Sequence, residues 1–175
     1  MEISKYGVTL RRLTEDKIEM IRNWRNDPKI VQYMEYREYI TTEMQKKWFD
    51  RINNANNYYF LIIVNNKEIG LINVRDIDFN LMEGEAGIFI YDDEFYNSTI
   101  SFQSAFALYD FCFETLKLKR ITAHILNDNK RAIKYNKLIG YVKFKDQDDK
   151  INQLYTLKSE DYLVSRQSVA QLFED

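Results

Sequence analysis

Apolar and polar residues alternate along VTLRRL (Val8–Leu13), which predicts a strand with one buried face. The period then changes. Ile18, Ile21 and Trp24 lie three apart behind Thr14, a residue suited to cap a helix, and Asn26-Asp27-Pro28 stops that helix. Thr42-Glu43-Met44-Gln45 has the form of a capping box, and the helix it opens carries Met44, Trp48, Phe49 and Ile52 on one face. YYFLIIV (Tyr58–Val64) is apolar throughout, so it predicts a strand covered on both sides. Asn65-Asn66 predicts a tight turn into KEIGLINVRDIDF, and EGEAGIFIY (Glu83–Tyr91) predicts the next strand of the meander.

Downstream, Phe102, Ala105, Phe106, Tyr109, Phe113 and Leu116 recur at helical spacing. Core packing explains that stripe better than ligand stacking. KRITAHIL (Lys119–Leu126) alternates as a strand. NDNKRAIKYNKLIGY supplies a cap, a short helix and Gly140 as its stop. YVKFK and QLYTLK close the chain as two further strands. No repeat, low-complexity segment or linker interrupts the pattern, so residues 1–175 read as one α+β domain with a mixed sheet.

Composition narrows the function. Hydrophobic residues make up 45% of the 175 and charged residues 30%, enough for a sizeable core. The net charge of −2 gives no ground for nucleic acid or an anionic membrane as a partner. No apolar run approaches the roughly 20 residues a membrane span needs, and MEISKYGVTLRR lacks the apolar core of a signal peptide. The expected location is the cytoplasm. Cys112 is the single cysteine, which excludes an internal disulfide and a cysteine-based zinc site. It lies between Phe111 and Phe113 and reads as a buried thiol. His124 is the single histidine, without a second ligand, and reads as structural. No metal is expected. Aromatic residues reach 15%, which suits a groove lined by amphipathic rings and equally a tyrosine-rich composition.

The order of elements and several local patterns resemble the GNAT superfamily of acyl-CoA-dependent N-acetyltransferases. The opening LRRLTEDKIEMIRNWRNDPKIVQYM is similar to the branch holding ribosomal-protein N-terminal acetyltransferases and the aminosugar N-acetyltransferases of nonulosonic-acid synthesis. RNWRNDP leans towards the sugar enzymes. GEAGIFI resembles the strand that splays from its neighbour to admit the pantetheine arm, and NDNKRAIKYNKLIGY resembles the Asn-containing loop and following helix. The resemblance implies a central, mixed, mostly antiparallel sheet with helices on both faces. It also implies acetyl-CoA as co-substrate and a small-molecule amine as acceptor, with a nucleotide-linked amino sugar ahead of a protein N-terminus. A homodimer is compatible with it. A GNAT-like domain that only binds a ligand is the remaining alternative.

The family's pyrophosphate loop, Gln/Arg-x-x-Gly-x-Gly/Ala, falls on Tyr96-Asn97-Ser98-Thr99-Ile100-Ser101 and finds no glycine there. Main-chain N–H groups and the positive end of a helix bind phosphate whatever the side chains, and Ser98, Thr99 and Ser101 add hydroxyls. A β-branched Thr99, however, resists positive φ, and Asp92, Asp93 and Glu94 lie just upstream. The expectation is a modified CoA site rather than a lost one.

The same resemblance places Glu85 where relatives hold the acid that takes the amine proton; a solvated strand carboxylate is the plain alternative. It gives Ile88, Phe89 and Ile90 main-chain contacts to the pantetheine and the thioester carbonyl. It gives Asn129 a CoA contact, a role compatible with capping the helix. At the family's thiolate acid this chain has Asn136, with Tyr135 one residue earlier and about 100° round the helix. Tyr135 reads either as that acid or as a partly buried helix tyrosine. Trp24, Arg25, Tyr33 and Tyr36 are candidates for the acceptor side, and packing explains the tryptophan equally well.

Overall fold

The computed structural model describes residues 1–170. Eight strands form one sheet in the order β1-β2-β3-β4-β5-β6-β8-β7. β1 (Glu2–Lys5) and β2 (Val8–Arg12) make a hairpin through Tyr6 and Gly7, both at positive φ. β3 (Tyr58–Val64), β4 (Lys67–Asp78) and β5 (Glu83–Ile90) form the expected meander. Asn65 and Asn66 both take left-handed φ in the β3–β4 turn. β6 (Arg120–Leu126) runs parallel to β5, and β8 (Asn152–Lys158) inserts between β6 and the short edge strand β7 (Val142–Lys143).

The helices cover both faces. α1 (Ile18–Asn26), α2 (Pro28–Val31) and α3 (Thr42–Ile52) precede the meander. Ile21, Trp24, Phe49 and Ile52 from α1 and α3 pack on Tyr59, Leu61 and Leu71 of the sheet. α4 (Ile100–Asp110), extended by a π-helical turn over Phe111–Thr115, packs on the other face with α5 (Lys130–Ile139) and α6 (Ser159–Ala170). The stripe foreseen in α4 widens into a helix buried from Ser104 to Cys112, and burial pushes the Cys112 thiol well up.

Three local expectations are corrected. The cap of α3 is Thr41, whose Oγ1 accepts from Met44 N–H at 3.2 Å while its backbone stays extended. Gln45, expected in a capping box with Thr42, is instead buried and donates to the Ile18 carbonyl at 2.9 Å, tying α3 to α1. The chain continues past β8 into α6 instead of closing on strands. Thr14 precedes a short 3-10 turn (Glu15–Lys17) without a side-chain cap bond, so α1 begins later than its polar flank suggests.

The feature that creates a site is the parting of β5 from β6. They pair only over Glu83–Glu85 with Arg120–Thr122. Beyond that rung β5 pairs with β4 alone and β6 with β8 alone. In an antiparallel ladder, main-chain groups point alternately to one neighbour and the other. Tyr91 N–H donates to Ile69 O at 2.8 Å, which sets the phase. Gly87 and Phe89 therefore bond β4, while the N–H and C=O groups of Ile88 and Ile90 face the open wedge.

Candidate active site

The loop Tyr96–Ser101 closes the wedge at the start of α4. None of its residues takes positive φ, and Thr99 sits at φ −77. The loop does not need the glycines its sequence lacks. Ile100 N–H is taken by Ser98 Oγ at 3.2 Å, and that hydroxyl donates to Phe95 O at 2.7 Å. Among the described residues the N–H groups of Asn97, Thr99 and Ser101 have no acceptor. Three donors are thus left open at the N-terminus of an 11-residue helix, the positive end of its dipole.

The expected charge problem is resolved by lysines. Lys67 binds Asp92 and lies 3.8 Å from Glu94, while Lys29 binds Asp93 at 3.1 Å. The Lys67 contact holds the Asp92 carboxyl below its ordinary value. Arg131, from the first turn of α5, bonds the Tyr96 carbonyl and stacks 3.7 Å over its ring, bringing a cation to a loop that has none of its own. The Tyr33 phenol also meets the Tyr96 phenol, which raises it, so Tyr33 borders this loop.

Asn129 caps α5 through Oδ1, which accepts from Ala132 N–H at 3.0 Å. Asn136 is buried and donates to the Ala132 carbonyl at 2.8 Å, back along its own helix. Tyr135 donates to the Ser101 carbonyl at 2.8 Å and packs against Phe102, and burial raises its phenol well above the ordinary value. The proton of Tyr135 is thus committed to the start of α4.

Glu85 stands at the last rung before the wedge opens. Arg75 on β4, its register partner, donates Nη2 to Oε1 at 2.6 Å. His124 on β6 brings Nδ1 to 3.2 Å from Oε2. Glu85 is 19% exposed and His124 41%, so the carboxylate is half-buried while the imidazole faces the opening. On the same face, Phe89 and Tyr91 pack against Trp24 at 6.4 and 5.0 Å between centroids. Trp24 is 8% exposed and belongs to the core. Tyr36 is exposed and lies near Arg25. Arg25 reaches over the Trp48 ring at 6.0 Å, close to Tyr59 and Arg75. Burial, with the Arg75 charge adding, depresses its guanidinium, and among the described residues no carboxylate pairs with it.

Arg75, Arg131 and the His124 contact were not read from the sequence. The strand alternation that put His124 opposite Ile121, Ala123 and Ile125 was the available signal, since it aims the imidazole at the face of Glu85. Among the described residues, no group of three or more His, Cys, Asp or Glu side chains is placed to hold a metal, and no helix is long and apolar enough to cross a membrane.

Comparison with known proteins agrees with this geometry. The model of the acetyltransferase (GNAT) domain matches residues 8–142. Acetyltransferase PseH of Campylobacter jejuni subsp. jejuni serotype O:23/36 (strain 81-176) is 27% identical over 131 residues, spanning 73% of this chain and 80% of that protein. Apo FdhC, described as a nucleotide-linked sugar GNAT, superposes with a TM-score of 0.81 at 21% identity, covering 98% of this chain and 97% of that one. Spermidine N-acetyltransferase from Vibrio cholerae, solved with CoA and spermine, gives 0.75 at 19% identity over 90% and 98% of the two chains. A splayed sheet, a helix start with open N–H groups beside it and a family match across most of the length lead to one conclusion: the chain is a GNAT acetyltransferase.

Proposed function

We propose that the protein transfers acetyl from acetyl-CoA directly to the primary amine of a nucleotide-linked amino sugar. GNAT acetyltransferases use acetyl-CoA, and the residues of the wedge fit it. The N–H groups of Asn97, Thr99 and Ser101 bind the pyrophosphate, with Arg131 alongside. The open main-chain groups of Ile88 and Ile90 take the pantetheine arm as an added strand, and an N–H of that edge polarises the thioester carbonyl. Glu85 takes the proton of the attacking amine, directly or through water, as nitrogen bonds to the carbonyl carbon and the carbon–sulfur bond breaks. The thiolate takes its proton from solvent in the wedge. Tyr135 positions the loop from below through Ser101.

The observation that carries the sugar-nucleotide reading is Arg25. A half-buried guanidinium without a counter-ion is poorly solvated, and an acceptor that brings an anion relieves the cost. The likeness to PseH and to FdhC supports the same class. A polyamine acceptor, as named for the Vibrio cholerae enzyme, would bring positive charge towards Arg25 and Arg75. Arg25→Ala should raise KM for a nucleotide-linked amino sugar more than it lowers kcat, because a phosphate contact made equally in ground and transition states is uniform binding. An equal fall in kcat with KM unchanged contradicts the reading.

On the donor side, Thr99→Gly should leave acetyl-CoA affinity within about twofold, since φ at Thr99 is already ordinary. Arg131→Ala should weaken it about tenfold, the scale of one lost charge-assisted contact. Calorimetric titration of both variants checks the pair.

A further inference from the structure

We propose that the acceptor's diphosphate binds in a cavity between the end of α3 and the adjoining ends of β3 and β4, with Arg51 as its outer clamp. This inference rests on the nucleotide-sugar reading above and names the place where the nucleotide sits. The cavity holds about 500 Å³, and its walls include Trp48 and Arg51 of α3, Tyr59 of β3 and Arg75 of β4.

Charge selects the ligand. Arg25 approaches over Trp48, and Arg12 lies under the floor, donating Nη2 to the Asn57 carbonyl at 2.7 Å and the Asn54 carbonyl at 3.3 Å. Against these stand Asp76, largely exposed and 3.5 Å from Arg75, and Glu85, which Arg75 neutralises. Among the described residues the guanidinium groups of Arg25 and Arg51 make no ion pair and no hydrogen bond. A cavity with one uncommitted guanidinium on its wall, Arg51, and a second, Arg25, beside that wall over Trp48 suits an extended, multiply charged anion, which forked donors grip in pairs.

Position selects the kind of anion. Arg75 lines the cavity and also bonds Glu85 at 2.6 Å. In an amino sugar nucleotide the amine and the anomeric phosphate are substituents of one six-membered ring. An amine at Glu85 therefore places the diphosphate one ring away, on the far side of Arg75. A free sugar has no charge to put there, and a peptide backbone carries no diphosphate at that distance.

The test is a calorimetric titration with nucleoside diphosphates (UDP, dTDP, GDP), with uridine as control. Saturating CoA is present throughout, so that its own pyrophosphate site is filled. Wild type should bind at least one diphosphate and not uridine. Arg51→Glu should weaken that binding by about tenfold or more and raise KM for the sugar nucleotide with kcat little changed. Arg51 is exposed, and an unchanged titration of acetyl-CoA shows that the variant is folded. Diphosphate binding that is equal in wild type and Arg51→Glu overturns the cavity site. So does the absence of diphosphate binding by wild type. Continued turnover of sugar nucleotides in either case leaves the substrate reading standing, whereas turnover of free sugars or peptides alone removes both.

Discussion

Glu85→Gln is expected to lower kcat by about 10²–10⁴-fold, with acetyl-CoA affinity little changed. The substitution keeps the shape of the side chain and its capacity to accept from Arg75, but removes its basicity. Nothing in the Tyr96–Ser101 loop or along the open edge of β5 bonds the carboxylate, so the proposed donor site is left alone. The position argues for the role. Glu85 lies on the rung where β5 and β6 part, facing the side of the sheet opposite α4, with its carboxylate fixed by Arg75 and His124. Steady-state kinetics over pH would check it: the kcat of the variant should lie below that of wild type across the profile. Wild-type turnover with an unchanged profile would leave Glu85 as no more than the ion-pair partner of Arg75.

Asp110→Ala is expected to have the largest effect on stability. The Asp110 side chain is 3% exposed, and both oxygens are occupied. Oδ2 accepts from Lys5 Nζ and from Tyr6 OH at 2.8 Å, while Oδ1 accepts from Tyr162 OH at 2.7 Å and lies 2.9 Å from Arg166. One carboxylate thus joins the β1–β2 hairpin, α4 and α6. Removing it leaves cations and phenols facing each other in a buried space, a change that costs about 3–5 kcal/mol. For a domain of this size that is a fall in Tm on the order of 10 °C. Asp110→Asn should recover part of the loss.

The same cluster contributes to the alkaline limit, alongside the buried phenols of Tyr109, Tyr135 and Tyr141. Burial and the Asp110 contact raise Tyr6 and Tyr162, and the bond and charge of Asp110 raise Lys5 despite its partial burial. Groups raised in the folded state contribute stability that is fully present below their unfolded values, near 10, and lost as pH rises towards the folded ones. Wild type should therefore lose stability above about pH 10, and Asp110→Ala should lose less over that range. Thermal melts across pH read both effects.

Much of this fold was legible because its segments keep one period. Tyr58–Val64 is a strand as read, the strand read over Glu83–Tyr91 runs over Glu83–Ile90, and Gly140 ends α5 at φ 109. β1 was not read, because EISK is too short and polar to show alternation. α6 was missed because Tyr162, Leu163 and Val164 are consecutive and form no stripe; only Tyr162 is buried there, held by Asp110. The site divides in the same way. Glu85 and Asn129 stand in local patterns. Arg75 and His124 reach Glu85 only through strand register, Arg75 opposite Glu85 and Glu85 opposite Thr122, which no local pattern reveals. Thr99 looked unfavourable because glycine was taken as a requirement for left-handed backbone, and the loop turns without it.

The central claim is the chemistry of the acceptor, and one thiol-release assay with acetyl-CoA tests it most directly. The panel should hold UDP- and dTDP-linked amino sugars, the corresponding free amino sugars, spermidine and short peptides with free N-termini. Turnover on at least one nucleotide-linked amino sugar, well above that on its free sugar and on spermidine, is the expected result. Turnover on peptides or spermidine with none on any sugar nucleotide would contradict it.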